Sequence, residues 1–300
     1  LPETTTGKPA SRNPIDLFLA AEREARGLTP RPEAPREVLL RRVYLDLIGL
    51  NPTPEEQRAF LQDTSPDAYE RVVDRLLLDP RHGERWARHW MDIWRYSDWA
   101  GWTDGGQIRD SQQHIWHWRD WLVESLNADK GYDRMIVEQL AGDELVDWRT
   151  ADHFTPETVS LLEATGFLRT VDDHTNEPQY GVEKRYEVVN ETVAMVSTAL
   201  LGLTMDCCRC HNHKYDPLPQ RDYYRLMACF EPAYNVNAWK IPKERFLADV
   251  SPAERKAIDE QNAAIDERLA ARKRQEDDTR AAAARPGVRC RGPVPPLLGG

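Results

Sequence analysis

Apolar residues recur along most of the chain at the three- and four-residue spacing of an amphipathic helix. No run alternates with the period of two that a half-buried strand requires. Asn13-Pro14 opens a first helix that Gly27 closes, with Pro14 at the favoured first position. A second covers Arg36–Ile48. Thr53-Pro54-Glu55-Glu56 reads as a capped start, and Ser65-Pro66-Asp67 as another that leads into Ala68–Leu78. Gly83–Trp99 is the richest segment, placing Trp86, Trp90 and Trp94 on successive turns of one face. After a Gly- and Asp-rich loop over Trp99–Asp110, helices are predicted over Gln112–Asn127, Tyr132–Leu140, Pro156–Leu168, Glu183–Leu203 and Arg221–Phe230. The fold class predicted is all-α, a multi-helix globular domain followed by a charged C-terminal helix.

The pattern divides the chain as follows. Residues 1–11 are an N-terminal tail, 12–232 one helical domain, and 233–250 a linker. Residues 251–284 form the charged helix, with a thin stripe of Ile258, Ile265 and Leu269. That stripe suits packing along another helix, from the same chain or through self-association of a second copy. Residues 285–300 are a Pro/Gly-rich tail that builds no core. Thr170–Gly181 is a polar loop long enough to carry function.

Composition narrows the function classes. Lys and Arg number 40 against 50 Asp and Glu, a formal charge of −10, so a general nucleic-acid binder is excluded. No apolar stretch reaches transmembrane length, and Leu1–Ala10 has no apolar segment of the signal-peptide kind. Ten Trp against six Phe is a skewed count, and seven of the Trp lie from Trp86 to Trp118. They build either a Trp-rich core or the wall of a cofactor pocket.

The chemistry concentrates in Cys207-Cys208-Arg209-Cys210-His211. It contains a Cys-x-x-Cys-His, the attachment spacing of c-type haem. Two thiols three residues apart reach the two vinyl groups on one porphyrin edge, and the following His supplies the proximal iron ligand. At this chain's Cys and His frequencies roughly 0.002 chance matches are expected, so coincidence does not explain the spacing. Two other chemistries compete. A zinc site would draw on Cys207, Cys210, His211 and His213, four ligands cramped into seven residues. A disulfide would join Cys207 to Cys210. Cys208 lies outside the attachment spacing, and Cys229 reads as a buried small hydrophobe.

The run Leu201–Phe230 (LGLTMDCCRCHNHKYDPLPQRDYYRLMACF) resembles the signature of a planctomycete family, domain-of-unknown-function family 1549, whose members are often named as cytochrome-associated. The resemblance extends through Asn13–Phe18, Leu40–Pro54, Gly83–Tyr96 and Asn127–Asp143, covering residues 12 to 232. Cys208 and Trp94 depart from it, each standing where a smaller residue is expected. The resemblance implies one covalent haem c held by Cys207, Cys210 and His211, and export across a membrane. Thioethers of this kind are made outside the cytoplasm, so a periplasmic or cell-surface location is expected.

Candidates for the sixth iron position are His89, then His114 and Met195, with His117, His174 and Met205 behind them. Arg88 and Arg95 could pair with haem propionates, with Trp90 against the ring and Asp98 as an ion or substrate ligand. His213, with Lys214 and Asp216, either serves the pocket as an acid or base or fixes the turn before Pro217. Asp104, Asp110, Asp172 and Asp173 have no calcium-loop spacing.

Three functions follow. The first is an extracytoplasmic mono-haem c-type cytochrome domain exchanging electrons with a redox partner protein or a small-molecule substrate. The second is a haem-dependent enzyme with an open distal site, using His89, His213 or Arg88 on peroxide or an organic substrate. The third is a surface binding or hydrolytic module with a structural haem.

Overall fold

Proline opens five of the helices. The computed structural model describes residues 13–100, 110–112, 114–173, 175, 181–247 and 249–283. Their order is α1 (Pro14–Ala25), α2 (Arg36–Leu47), α3 (Pro54–Gln62), α4 (Ala68–Leu77), α5 (Pro80–Ile93), α6 (Trp116–Asn127), α7 (Tyr132–Ala141), α8 (Pro156–Ala164), α9 (Val182–Leu201), α10 (Gln220–Tyr234) and α11 (Pro252–Ala283). Short 3-10 turns aside, the described residues add only a two-residue antiparallel pairing, β1 (Trp99–Ala100) with β2 (Asp110–Ser111). The fold is all-α.

Local capping explains the starts. Asn13 accepts from the Ile15 N–H at 3.0 Å. Thr53 and Glu56 form a complete capping box at 3.2 and 2.8 Å, and Thr155 caps α8 at 3.1 Å. The predicted end of α5 at Trp99 is corrected to Ile93. Arg95 turns into the left-handed region at φ 57°, and the Tyr96 N–H bonds back to the Met91 carbonyl at 2.9 Å. That six-to-one bond is the Schellman closure, normally made over Gly.

Residues 12–232, read from the sequence as one helical body, contain two separate cores. The first compact unit, ending at Trp86, packs Leu40, Tyr44, Phe60 and Leu76 between α2, α3 and α4. Arg36 ties that unit by donating to the carbonyls of Phe60 and Asp63 at 2.7 and 2.6 Å, while its guanidinium lies 4.5 Å over the Phe60 ring. Arg75 donates to the Tyr44 hydroxyl at 2.5 Å and to Glu56 at 3.1 Å.

The second unit, which begins at Ala87, is organised around indole rings. Trp94, Trp118 and Trp121 are fully buried. Trp94 meets Trp118 and Phe167 at 6.0 Å between centroids, the latter edge-on. Their indole N–H groups have no hydrogen-bond partner among the described residues, so the rings serve the core as bulk rather than as polar handles. Gly166 admits this packing, because an added Cβ would meet the Trp118 Cβ at 2.7 Å. Gly142 does the same where α7 passes α8, since a Cβ there would overlap the Leu161 carbonyl.

The predicted linker over 233–250 is instead packed, with Val236 buried. Arg245 donates to the buried Asp173 at 2.7 Å and lies 4.3 Å over Trp239. The Trp239 indole N–H donates to Thr175 at 2.9 Å. Among the described residues no helix is long and apolar enough to cross a membrane.

Candidate functional site

The candidate site begins where α9 stops. Gly202 adopts φ 65°, a conformation that costs a residue without Cβ nothing, and the Leu203 N–H returns to the Ser197 carbonyl at 2.9 Å. The chain then enters a 3-10 turn over Asp206–Arg209 that packs against α10. The Cys208 N–H bonds to the Met205 carbonyl at 2.8 Å, and the Cys210 and His211 N–H groups converge on the Cys207 carbonyl at 3.3 and 3.2 Å.

Three residues per turn align positions i and i+3 and send i+1 elsewhere. Cys207 and Cys210 are accordingly exposed, and both are unpaired. Cys208 is fully buried beside Met205 and Tyr223, its thiol directed at the Leu218 carbonyl at 3.5 Å. Burial pushes the Tyr223 phenol up to about 12, and that phenol donates to Asn190 at 2.8 Å.

His211 is exposed, with Nδ1 2.7 Å from the Asn212 carbonyl. A carbonyl only accepts, so in the neutral ring Nδ1 carries the proton and Nε2 keeps its lone pair. Asn212 in turn accepts from the Gln220 N–H at 2.8 Å at the start of α10. Gln220 and Tyr224 both donate to the Arg209 carbonyl, at 3.1 and 3.0 Å. The motif is therefore braced from one side by α10 while its thiols and imidazole edge face out.

His213 is nearly buried, its side chain 10% exposed. Its Nδ1 accepts the N–H groups of Asp216 at 2.8 Å and Tyr215 at 3.3 Å. With Nδ1 accepting, the Asp216 carboxylate at 3.2 Å has no proton to take from a neutral ring. The His213 N–H also reaches the Leu218 carbonyl at 2.9 Å. His213 thus closes the turn that leads to Pro217.

The other sequence-selected residues are dispersed. Arg88 and His89 lie on the exposed side of α5. Trp90 is half-buried, 4.8 Å from Trp94 and stacked on Tyr132 at 5.3 Å. Arg95 forms the left-handed end of α5 and stands 3.6 Å from Glu191, while Asp98 accepts from the Tyr96 hydroxyl at 2.6 Å. His114, at φ 68°, sits edge-on to Phe246 at 5.6 Å. His117 pairs with Glu163 at 2.9 Å, whose carboxyl burial holds above the ordinary range. Met195 is in the core and its sulfur accepts from Thr170 at 3.0 Å. His174 and Asp104 lie outside the described residues, as does the side chain of Asp110. Cys229, expected in the interior, is exposed, its thiol 3.5 Å from the Arg225 carbonyl.

Among the described residues no three His, Cys, Asp or Glu side chains converge as a metal cage, so the four-ligand zinc arrangement is not assembled. A haem c asks for something different: two accessible thiols and one imidazole with a free Nε2. The donor set of Cys207, Cys210 and His211 fits that requirement. Of the Trp residues offered as a pocket wall, Trp94 and Trp118 are packed against one another in the core, while Trp86 and Trp116 are exposed. The Asp173, Arg245 and Trp239 cluster carries no signal in the sequence, since Asp173 lies 66 and 72 positions from Trp239 and Arg245 and no local spacing marks it.

A family described as "Protein of unknown function (DUF1549)" matches residues 14–235. The chain belongs to this family. No curated protein and no solved structure matches it.

Proposed function

We propose that this chain is an extracytoplasmic mono-haem c-type cytochrome domain, with the haem fastened through Cys207 and Cys210 and His211 as proximal ligand. One observation carries the reading: the 3-10 turn presents both thiols free at the surface, removes Cys208 into the core, and orients His211 through Asn212. Bound there, the haem supplies one-electron redox chemistry. The chain's own part is to brace the turn through Gln220 and Tyr224 and to orient the His211 ring through the Asn212 carbonyl, which directs Nε2 outward. Attachment at the surface rather than inside the indole core favours exchange with a redox partner protein over chemistry in an enclosed pocket. His89 is the first candidate for the distal position and His114 the second, since the Met195 sulfur is engaged in the core.

The test is production in a periplasm equipped for cytochrome c maturation. The expected result is a chain whose haem stays attached through denaturation and shows the c-type band in alkaline pyridine. Cys207→Ala or Cys210→Ala should lose a thioether, whereas Cys208→Ala should retain both. A matured wild-type chain without covalent haem overturns the reading. His89→Ala converting low-spin iron to high-spin would assign the distal ligand.

A further inference from the structure

Arg169 and Arg245 share one carboxylate, that of Asp173. It is 3% exposed, and its own chain already fills it. Oδ1 accepts the Thr175 N–H at 2.8 Å and the Thr175 hydroxyl at 2.5 Å, and Oδ2 accepts from Arg245 Nη1 at 2.7 Å. Arg169 Nη1 stands 3.8 Å from that same oxygen, beyond hydrogen-bond reach. Arg169 borders the polar segment Thr170–Gly181, and Asp173 and Thr175 belong to it. The haem reading leaves this segment unused.

Donors and acceptors do not balance here. Arg245 gives its Nε–H to the Lys240 carbonyl at 2.5 Å, and one N–H each to Asp173 and, at 3.3 Å, to Thr175. Its guanidinium lies 4.3 Å over the Trp239 ring, whose indole N–H donates to Thr175 at 2.9 Å. Arg245 is thus clamped, with one N–H left on each terminal nitrogen. The Arg169 guanidinium carries five N–H donors and makes no hydrogen bond among the described residues. Burial and the positive charge of Arg245 lower it from its ordinary pKa, as expected of a cation short of an anion. Two guanidinium groups on one carboxylate leave a surplus of one positive charge, which arginine does not shed. Their side chains are 26% and 16% exposed, so both reach the surface while the carboxylate does not.

We infer that Arg169 and Arg245 bind the carboxylate of a small organic acid. Charge sets the valence. One negative charge balances the surplus, whereas a dianion such as phosphate would be repelled by Asp173. Shape sets the group, because a planar carboxylate takes two parallel N–H bonds from the open fork of Arg169. The clamp on Arg245 is already in place, so that half of the site needs no ordering on binding.

The test is titration of the full chain at neutral pH with sodium acetate, and with sodium chloride and sodium phosphate at matched ionic strength. Nuclear magnetic resonance of the arginine Nε–H and tryptophan indole N–H signals reads it. The Arg169 signal, identified by its absence in Arg169→Gln, should move saturably with acetate and stay in place with chloride. The Trp239 signal should follow it and should report binding in the variants. Arg169→Gln should raise the acetate dissociation constant at least ~10-fold, as for a lost hydrogen bond to a charged group. If the neutral variant loses the wild-type far-UV circular dichroism, Arg169→Lys takes its place, keeping the charge without the fork. An acetate response that does not saturate overturns the inference. So does undiminished binding in a folded variant, or phosphate binding more tightly than acetate.

Discussion

Nδ1 of His213 accepts the Asp216 backbone N–H at 2.8 Å, so a ring that stands two positions beyond the Cys-x-x-Cys-His works as a turn lock. The lock sets the path from the 3-10 turn to α10. His213→Ala leaves the Tyr215 and Asp216 N–H groups without their acceptor and should cost about 1–2 kcal/mol. Urea denaturation measures this. In the neutral ring, nitrogen-15 spectra should show the tautomer with the proton on Nε2.

Cysteine accessibility gives a second expectation. Cys207, Cys210 and Cys229 are exposed and Cys208 is buried. Alkylation of the haem-free, reduced chain followed by peptide mapping should modify the first three rapidly. Cys208 should be modified only at the rate of local opening. Equal labelling of Cys207 and Cys208 would contradict the placement of the turn.

Glu138 sets an acid limit on stability. Burial alone would raise its carboxyl, yet Lys130 at 2.6 Å and Arg134 at 2.7 Å outweigh burial and hold it below the ordinary 4.5. The depressed group stabilises the fold fully above the unfolded value near 4.5, and that contribution drains away as pH falls through the folded value. Glu138→Gln should cost about 1.5–3 kcal/mol at neutral pH, as for a hydrogen bond to a charged group. It should also flatten the decline of thermal midpoint below pH 4.5. Lys130 further lies 5.0 Å over Trp121, so the substitution should be felt in tryptophan fluorescence.

The helix crossings rest on absent side chains. Gly142→Ala forces a methyl group onto the Leu161 carbonyl, a backbone atom that cannot swing aside. A loss of about 1–3 kcal/mol is expected, the usual cost of overpacking. Gly27→Ala, where an added Cβ meets nothing, should show only the smaller strain of its φ of 63°. Thermal unfolding of the two variants compares the effects directly.

Much of this was legible in the sequence because it is local. Thr53 and Glu56 announce their own capping box, and the heptad-like stripe of α11 is visible in three residues. The end of α5 was not legible, because an Arg in the left-handed region carries no residue-type signal of the kind Gly gives. Nor was the packing of residues 233–250, which depends on Arg245 finding Asp173 across 72 positions. At the candidate site the spacing of Cys207, Cys210 and His211 was plain. What the sequence withheld was the role of His213, which has the composition of a catalytic group and the hydrogen bonds of a scaffold.

Three thiols within four positions admit three different pairings on oxidation. Holding Cys208 beneath Leu218 removes two of those outcomes from the folded chain. The turn therefore acts as an error filter. A chain that folds here before it meets an oxidant can form only the Cys207–Cys210 bond within this motif, and a single reduction returns both thiols.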